Sequence, residues 1–170
     1  DGRLIELDVI IFGTGFETQS LLGVADIKGR GGRSLREAWT PAPEAYLGIN
    51  VAGFPNLCML YGPNTNLGHN SIVLMLECQI EYTLQAMRAA KAHDGQAVDV
   101  KAPVMAEYNR QLQQDLVGSS WAGSCSSWYK TADGRITNNW SGSVEEYRAR
   151  CATFDLSEYE LIRQPEPASV

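Results

Sequence analysis

The stretch that most constrains this chain is YGPNTNLGHNSIVLMLECQIEY, residues 61–82, where a turn-forming loop runs directly into a long apolar helix. Apolar side chains recur after the loop at spacings of three and four residues, which predicts an amphipathic helix over about residues 71–91. The apolar stripe of this helix consists of Val73, Leu76, Ile80, Leu84 and Met87.

The loop before the helix has a composition that suits close approach of bare backbone to a ligand. With Asn70 or Ser71 as the N-cap, several backbone N–H groups remain as donors, and a helix N-terminus carries about half a positive charge. A phosphate or an anionic ring would suit this position. The alternative is that Gly62 and Pro63 merely turn the chain and the helix is only part of the core. The loop residues are Gly62, Pro63, Asn64, Thr65, Asn66, Leu67 and Gly68.

A second glycine turn follows the apolar run Val9–Phe12 near the start of the chain. Such a run is typical of a strand that is covered on both faces. Gly13, Thr14 and Gly15 then match the beginning of the dinucleotide-binding pattern G-x-G-x-x-G, while Thr18 stands at the third glycine. From spacing alone, an ordinary tight turn is the favoured explanation of the two glycines. The sequence thus predicts a strand that ends in a glycine turn.

The segment LCMLY, residues 57–61, predicts a second apolar strand that leads into the loop. Two strands that each end in a glycine turn are the arrangement by which an open α/β sheet holds a nucleotide-like ligand. The remaining pattern predicts short helices over 34–39 and 144–151, a helix over 102–116 and a possible strand over 46–51.

Composition and charge limit the classes of partner. The formal net charge is -6, and the basic residues form no cluster beyond KGRGGR at 28–33, which argues against nucleic acid or an anionic membrane surface. A small molecule is the favoured partner. The apolar runs are too short for a membrane span and no signal-peptide pattern begins the sequence, so we expect a cytoplasmic location.

The four cysteines form no C-x-x-C pair and have no histidine at ligand spacing, so we expect packing thiols and no metal site. The two histidines, His69 and His93, belong to no Ser/His/Asp or Cys/His constellation. His69 is expected to be a surface or capping residue. The residues alone therefore identify no catalytic group. Packing is likewise the favoured role for the aromatic residues Trp121, Trp128, Tyr129 and Trp140.

Three motifs taken in order are more specific than any one of them. LDVIIFGTGF, GFPNLCMLYGPNTNLGHNSIVLMLECQIEY and CSSWYKTADGRITNNWSGSVEEYR resemble the C-terminal part of flavin-dependent monooxygenases of the Baeyer-Villiger type. The likeness covers nearly the whole chain. The family's first motif usually reads A-T-G-F, so Gly13 in place of alanine is a small departure.

The resemblance implies an α/β fold: a partial FAD/NAD(P)-binding Rossmann-like domain over residues 1–100, followed by a C-terminal helical and loop extension over residues 101–170. It implies FAD and NADPH as cofactors, and insertion of one oxygen atom from O2 into a ketone or a heteroatom of a small-molecule substrate. An alternative is a stand-alone, non-catalytic ligand-binding or interaction domain that retains the fold. An upstream reading frame with FAD and NADPH fingerprints would decide between them.

The resemblance also assigns expected sites. Gly13, Thr14 and Gly15 would lie on the segment that links the FAD and NADPH domains. The loop of Gly62, Pro63, Asn64 and Thr65 would face the flavin, whose reduced form is anionic at its pyrimidine end and would be favoured by a helix N-terminus. Asn66 and Leu67 would lie near the substrate, and Trp128 on a mobile segment that closes over the nicotinamide.

The family's two nucleotide fingerprints and its active-site arginine would all precede residue 1. We therefore expect this chain to be the final third of such an enzyme and to be inactive alone. The apolar stripe of the helix over 71–91 would then lack some of its usual partners, so we expect the isolated chain to self-associate.

Overall fold

The computed structural model describes residues 2–13, 25–94, 96–124 and 127–163. Two strands in these ranges, β1 (Ala97–Val100) and β2 (Tyr159–Ile162), pair antiparallel, with Ala97 opposite Ile162 and Val100 opposite Tyr159. The helices are α1 (Leu35–Ala38), α2 (Ile72–Ala92), α3 (Ala102–Leu116) and α4 (Val144–Cys151). Short 3-10 turns cover Arg30–Gly32, Ser120–Ala122 and Leu156–Glu158.

All four helices lie where the sequence predicts them, because their ends are chemically marked. Ser34 and Ser143 each accept a hydrogen bond from the backbone three residues later and open a capping box, at the starts of α1 and α4. Pro103 lies in the first turn of α3, where its missing N–H costs nothing.

Helix α2 has the predicted period, but its buried face is not the predicted apolar stripe. The face that packs inward in the described structure contains Met75, Cys78, Gln79, Tyr82 and Ala86. Four residues of the predicted stripe are instead exposed: Val73 by 57%, Ile80 by 45%, Leu84 by 38% and Met87 by 62%. Helix α2 therefore presents apolar side chains on two faces, one of which is uncovered.

The prediction of two apolar strands, at residues 9–12 and 57–61, is wrong: neither segment is a strand in the described structure. Residues 9–12 pair with no other described segment, and Ile11 is 90% exposed. Residues 57–61 run beside the core without a strand partner. Their backbone bonds go elsewhere: Asn50 Nδ2 donates to the Leu57 carbonyl, and the Tyr61 N–H donates to Gln79 Oε1. The Met59 N–H donates to the Ile49 carbonyl, but with side chains bonding Leu57 and Tyr61 no strand ladder forms.

Residues 46–51, a possible strand in the sequence, form a tight turn. Leu47 and Gly48 both have positive φ, and the Tyr46 N–H donates to the Asn50 carbonyl across the turn. The sequence patterns did not predict β1 or β2. Each has four residues, and β1 carries Asp99 at an inward position, where Oδ1 accepts a hydrogen bond from the Gly53 N–H.

One main core joins the parts of the chain on either side of residue 100. Its buried residues extend from Leu47 through α2, β1, α3 and α4 to Tyr159. A smaller cluster around Leu35, Trp39 and Phe54 packs beside it. The described structure is therefore a mixed helix and strand fold in which residues 101–163 pack onto residues 25–100. Within the described ranges, no helix combines the length and apolarity that a membrane crossing needs.

Candidate cofactor-facing site

The loop before α2 is hydrogen-bonded to residues 136–140, which we call the inner limb. The backbone N–H groups of Asn64 and Asn66 donate to the carbonyls of Thr137 and Asn138, both at 2.8 Å. The Trp140 N–H donates to the Asn66 carbonyl at 2.9 Å. The loop therefore runs parallel to the inner limb and is hydrogen-bonded to it through the backbone.

Asn64 is the main side-chain anchor of the loop. It is buried, has a left-handed backbone with φ 57°, and its Nδ2 donates to the carbonyls of Ile136 at 2.8 Å and Asn139 at 3.0 Å. Thr65 is also buried, and its hydroxyl donates to the Gly62 carbonyl at 2.7 Å. Pro63 is buried beside them. These side chains are directed into the protein, so a ligand in front of the loop would meet backbone.

Gly62 and Gly48 allow two backbone turns to touch. A Cβ at Gly62 would lie 2.2 Å from the Gly48 carbonyl oxygen, and a Cβ at Gly48 would lie 2.1 Å from Thr65 Cγ2. The small size of Gly62 thus accommodates the 46–50 turn. This contact, which the sequence pattern did not predict, explains the glycine without a ligand.

A buried polar chain ties the start of the loop to two helices. Gln79 on α2 accepts from the Tyr61 N–H at 2.8 Å and donates to the Tyr147 hydroxyl on α4 at 3.1 Å. Tyr147 in turn donates to the Leu47 carbonyl at 2.5 Å. Burial raises the pKa of the Tyr147 phenol well above its usual value and that of the Cys151 thiol to about 12, so both groups stay neutral.

The N-terminus of α2 remains open to an anion. Ser71 is the N-cap, but its side chain makes no capping hydrogen bond, and the first turn contains no acidic residue. Gly68, His69 and Asn70 just before it are exposed. The unpaired N–H groups and partial positive charge of a 21-residue helix therefore lie beside a solvent-facing loop end, which fits the anionic part of a nucleotide or flavin.

The remaining predicted site residues lie in different surroundings. Asn66 Oδ1 accepts from the half-exposed Tyr61 hydroxyl at 2.8 Å, and Leu67 packs partly on the main core. Gly13 is exposed with open space around it, while Thr14 and Gly15 lie outside the described residues. In the parts of the chain that are described, no group of three or more His, Cys, Asp or Glu residues could hold a metal ion.

Trp128 belongs to a hairpin with the inner limb, and we call residues 127–130 the outer limb. Lys130 lies opposite Ile136 in an antiparallel bridge, and the Thr137 N–H donates to the Tyr129 carbonyl at 3.0 Å. The Tyr129 ring lies 4.0 Å from that of Trp128 and 4.6 Å from that of Trp121. The hairpin thus brings the predicted flavin-side loop and the predicted nicotinamide-side residue into one connected structure.

Known proteins resemble this chain along most of its length. No protein-family model matches the sequence. Over 97% of the chain it is 46% identical to a Baeyer-Villiger monooxygenase of Pseudomonas aeruginosa and covers 32% of that protein. Over 92% of the chain it is 45% identical to the FAD-binding monooxygenase ktnD of Aspergillus niger and covers 26% of it. The chain thus spans a third or less of the length of these curated relatives.

Two solved structures share the fold. An oxidized steroid monooxygenase bound to NADP matches 82% of the chain with a TM-score of 0.71 and 26% identity, over 27% of its own length. The OTEMO complex with FAD and NADP matches 94% of the chain with a TM-score of 0.73 and 28% identity, over 31% of its own length. The described core is therefore a part that recurs inside larger proteins.

Proposed function

Because the chain is related along nearly its whole length to flavin-dependent monooxygenases of the Baeyer-Villiger type, as its motifs predicted, we propose that it is the C-terminal third of an FAD- and NADPH-dependent monooxygenase. Residues 1–100 would complete a Rossmann-like FAD-binding domain and residues 101–170 would form its extension. The enzyme would insert one oxygen atom from O2 into a ketone or heteroatom substrate.

The observation that carries this proposal is the 46% identity over 97% of the chain. The open N-terminus of α2 supports it, because the anionic end of a reduced flavin would be stabilised by unpaired N–H donors. Bound FAD, reduced by NADPH, would supply the activation of O2. The chain's own contribution would be position and electrostatics.

Four of the predicted site residues would have a distinct task. Asn64 would hold the loop rigid so that its backbone approaches the ring at a fixed distance. Asn66 and Leu67 would line the substrate side at the exposed end of the loop. Trp128 would lie on the nicotinamide side, at the end of the hairpin.

The direct test is expression of the reading frame that contains this chain with its upstream coding sequence. We expect a yellow protein with one FAD per chain that oxidises NADPH and consumes O2 with a ketone or sulfide. A colourless protein that binds neither cofactor would overturn the proposal. A yellow 170-residue chain on its own would instead favour the stand-alone ligand-binding domain.

A pair of variants at the helix N-terminus tests the electrostatic role. Ser71→Asp should cap α2 and raise the free energy of unfolding by about 0.5–1 kcal/mol, since an acidic N-cap suits the helix dipole. The same charge should repel an anionic flavin and lower the reduction potential of bound FAD. Ser71→Asn is the control, because it caps without charge. Equal potentials in the two variants would argue against a flavin at this terminus.

A further inference from the structure

The two limbs of the Trp128 hairpin are attached to the rest of the protein unequally. The inner limb is fixed to the loop by the backbone bonds at Asn64, Asn66 and Trp140 and by the Asn64 side chain. It is also fixed to α3, where Gln113 donates to the Ile136 carbonyl at 2.8 Å and accepts from its N–H at 3.2 Å. The outer limb is bonded to the inner limb through Tyr129, and it also contacts Gly123 and Trp121.

The register of this hairpin places Trp128 opposite Asn138. Thr137 pairs with Tyr129 and Arg135 with Thr131 through hydrogen bonds, so antiparallel alternation makes Asn138 and Trp128 a non-hydrogen-bonded pair. At this position the hydrogen bond between the two limbs comes from the Asn138 side chain, whose Nδ2 donates to the Trp128 carbonyl at 2.8 Å.

Asn138 is therefore bonded in two directions at once. Its carbonyl accepts from the Asn66 N–H at 2.8 Å, and its amide reaches Trp128. A second link runs through packed rings, because a Cβ at Gly68 would lie 2.8 Å from the Trp121 indole, which packs on Tyr129 and through it on Trp128. The loop and the outer limb thus meet through one hydrogen-bonded residue and one aromatic stack.

We propose that Asn138 is a positioning residue that fixes Trp128 relative to the loop before α2 and thereby sets the affinity of the site for a nicotinamide nucleotide. The effect on the nucleotide rests on the proposed function, whereas the effect on the position of Trp128 does not. Loss of the amide donor would loosen the outer limb at Trp128, while the backbone bonds at Tyr129 and Thr131, the inner limb and the loop would stay in place.

The first experiment uses the 170-residue chain and hydrogen–deuterium exchange of its backbone amides. Asn138→Ala and the isosteric Asn138→Asp, which has no donor when ionised, should each speed exchange in residues 127–131 about fivefold, since one hydrogen bond contributes roughly 1 kcal/mol. Exchange in α4 should not change. Asn138→Asp keeps the shape of the side chain, so it separates the lost donor from lost packing.

The matched control is Gln113→Ala, which removes an amide that bonds the same hairpin at Ile136 but not at Trp128. It should leave exchange in 127–131 within about twofold of wild type. Wild-type exchange in both Asn138 variants would overturn the proposal. So would an equal acceleration in Gln113→Ala, because that would indicate general loosening of the hairpin.

The second experiment measures NADP⁺ binding to the longer protein by titration of the FAD absorbance. Asn138→Ala should raise the Kd for NADP⁺ about tenfold with the FAD content unchanged, whereas Gln113→Ala should leave the Kd as it is. An unchanged Kd in Asn138→Ala would overturn the part of the proposal that concerns the nucleotide. A longer protein without FAD would refute the proposed function, and the exchange experiment would still decide the position of Trp128.

Discussion

At the scale of single residues, the loop before α2 is defined by side chains that are directed away from any ligand. Asn64 satisfies two carbonyls of the inner limb, and Gly62 makes room for the turn at Gly48. The sequence predicted that these residues matter, since Gly, Pro and Asn are typical of a shaped loop. Their partners could not be predicted, because nothing in the local pattern encodes a contact with the separate turn at Gly48 or with Ile136 and Asn139, which lie 72 and 75 residues from Asn64.

Asn64→Ala should lower the free energy of unfolding by about 2–4 kcal/mol, because it removes two buried hydrogen bonds and places alanine at φ 57°. Asn64→Gly loses the same bonds but tolerates this φ, so its loss should be smaller by roughly 1 kcal/mol. Urea denaturation of the chain measures both. If neither variant loses as much as about 1 kcal/mol, the side chain of Asn64 does not anchor the loop.

Gly48→Ala and Gly53→Ala separate crowding from backbone strain. Both glycines have positive φ, but a Cβ at Gly53 meets nothing within 4 Å, whereas at Gly48 it would lie 2.7 Å from the Pro63 carbonyl oxygen and closer still to Thr65. We expect losses in stability of about 1–2 kcal/mol for Gly53→Ala and about 2–5 kcal/mol for Gly48→Ala. Thermal melts of the two variants check this order, and equal losses would contradict the close contact of the two turns.

At the scale of secondary-structure elements, helices were predictable and strands were not. Periodicity and capping residues are local signals, so α1 to α4 could be placed from the sequence. A strand needs a partner, and the apolar runs at 9–12 and 57–61 have none in the described structure. β1 and β2 are short, and they pair across about 60 residues. Local sequence patterns such as AVDV are too short to predict this pairing.

β1 also contains a buried carboxyl group, that of Asp99. The Asp99 side chain is 3% exposed, and burial raises its pKa above the usual value even though the Gly53 N–H and Arg30 oppose that shift. The folded state therefore holds this proton to higher pH than the unfolded state. The contribution to stability is complete below the unfolded pKa near 3.8 and is lost as the pH rises through the folded value.

Asp99→Asn should remove this dependence, since the amide oxygen can still accept from the Gly53 N–H. We expect the stability difference between Asp99→Asn and wild type to shift in favour of the variant as the pH rises from about 4 toward neutrality. Urea denaturation at several pH values measures it. Glu160→Gln, which also removes a carboxylate beside Arg30 but at an exposed position, is the control. A difference that does not vary with pH would refute a raised pKa.

At the scale of the whole molecule, the described residues leave two apolar surfaces uncovered: the outer face of α2 and residues 4–12, where Leu4 is 86% and Phe12 is 82% exposed. The sequence predicted both as apolar elements. It could not predict which surface each would pack against, because an apolar pattern indicates burial but does not identify the partner. In the proposed enzyme the remainder of the polypeptide would cover them.

The isolated 170-residue chain should therefore form dimers or larger assemblies at micromolar concentration, because exposed apolar patches of this kind favour association. Ile80→Glu and Leu84→Glu place charge on the outer face of α2 and should shift the mass measured by light scattering toward the monomer. Val117→Glu, at a 74% exposed site at the end of α3, is the matched control and should not. A monomeric wild-type chain with a cooperative melt would contradict the prediction.

The pairing of β1 with β2 constrains how the molecule is made. Tyr159 on β2 hydrogen-bonds the Asn50 side chain and the Tyr82 hydroxyl, so its arrival satisfies buried groups from two earlier segments as well as the edge of β1. During synthesis on the ribosome, the edge of β1 stays unpaired until β2 has emerged. A nascent chain that stalls before residue 159 therefore exposes an open strand edge and should be a preferred target for chaperones and proteases.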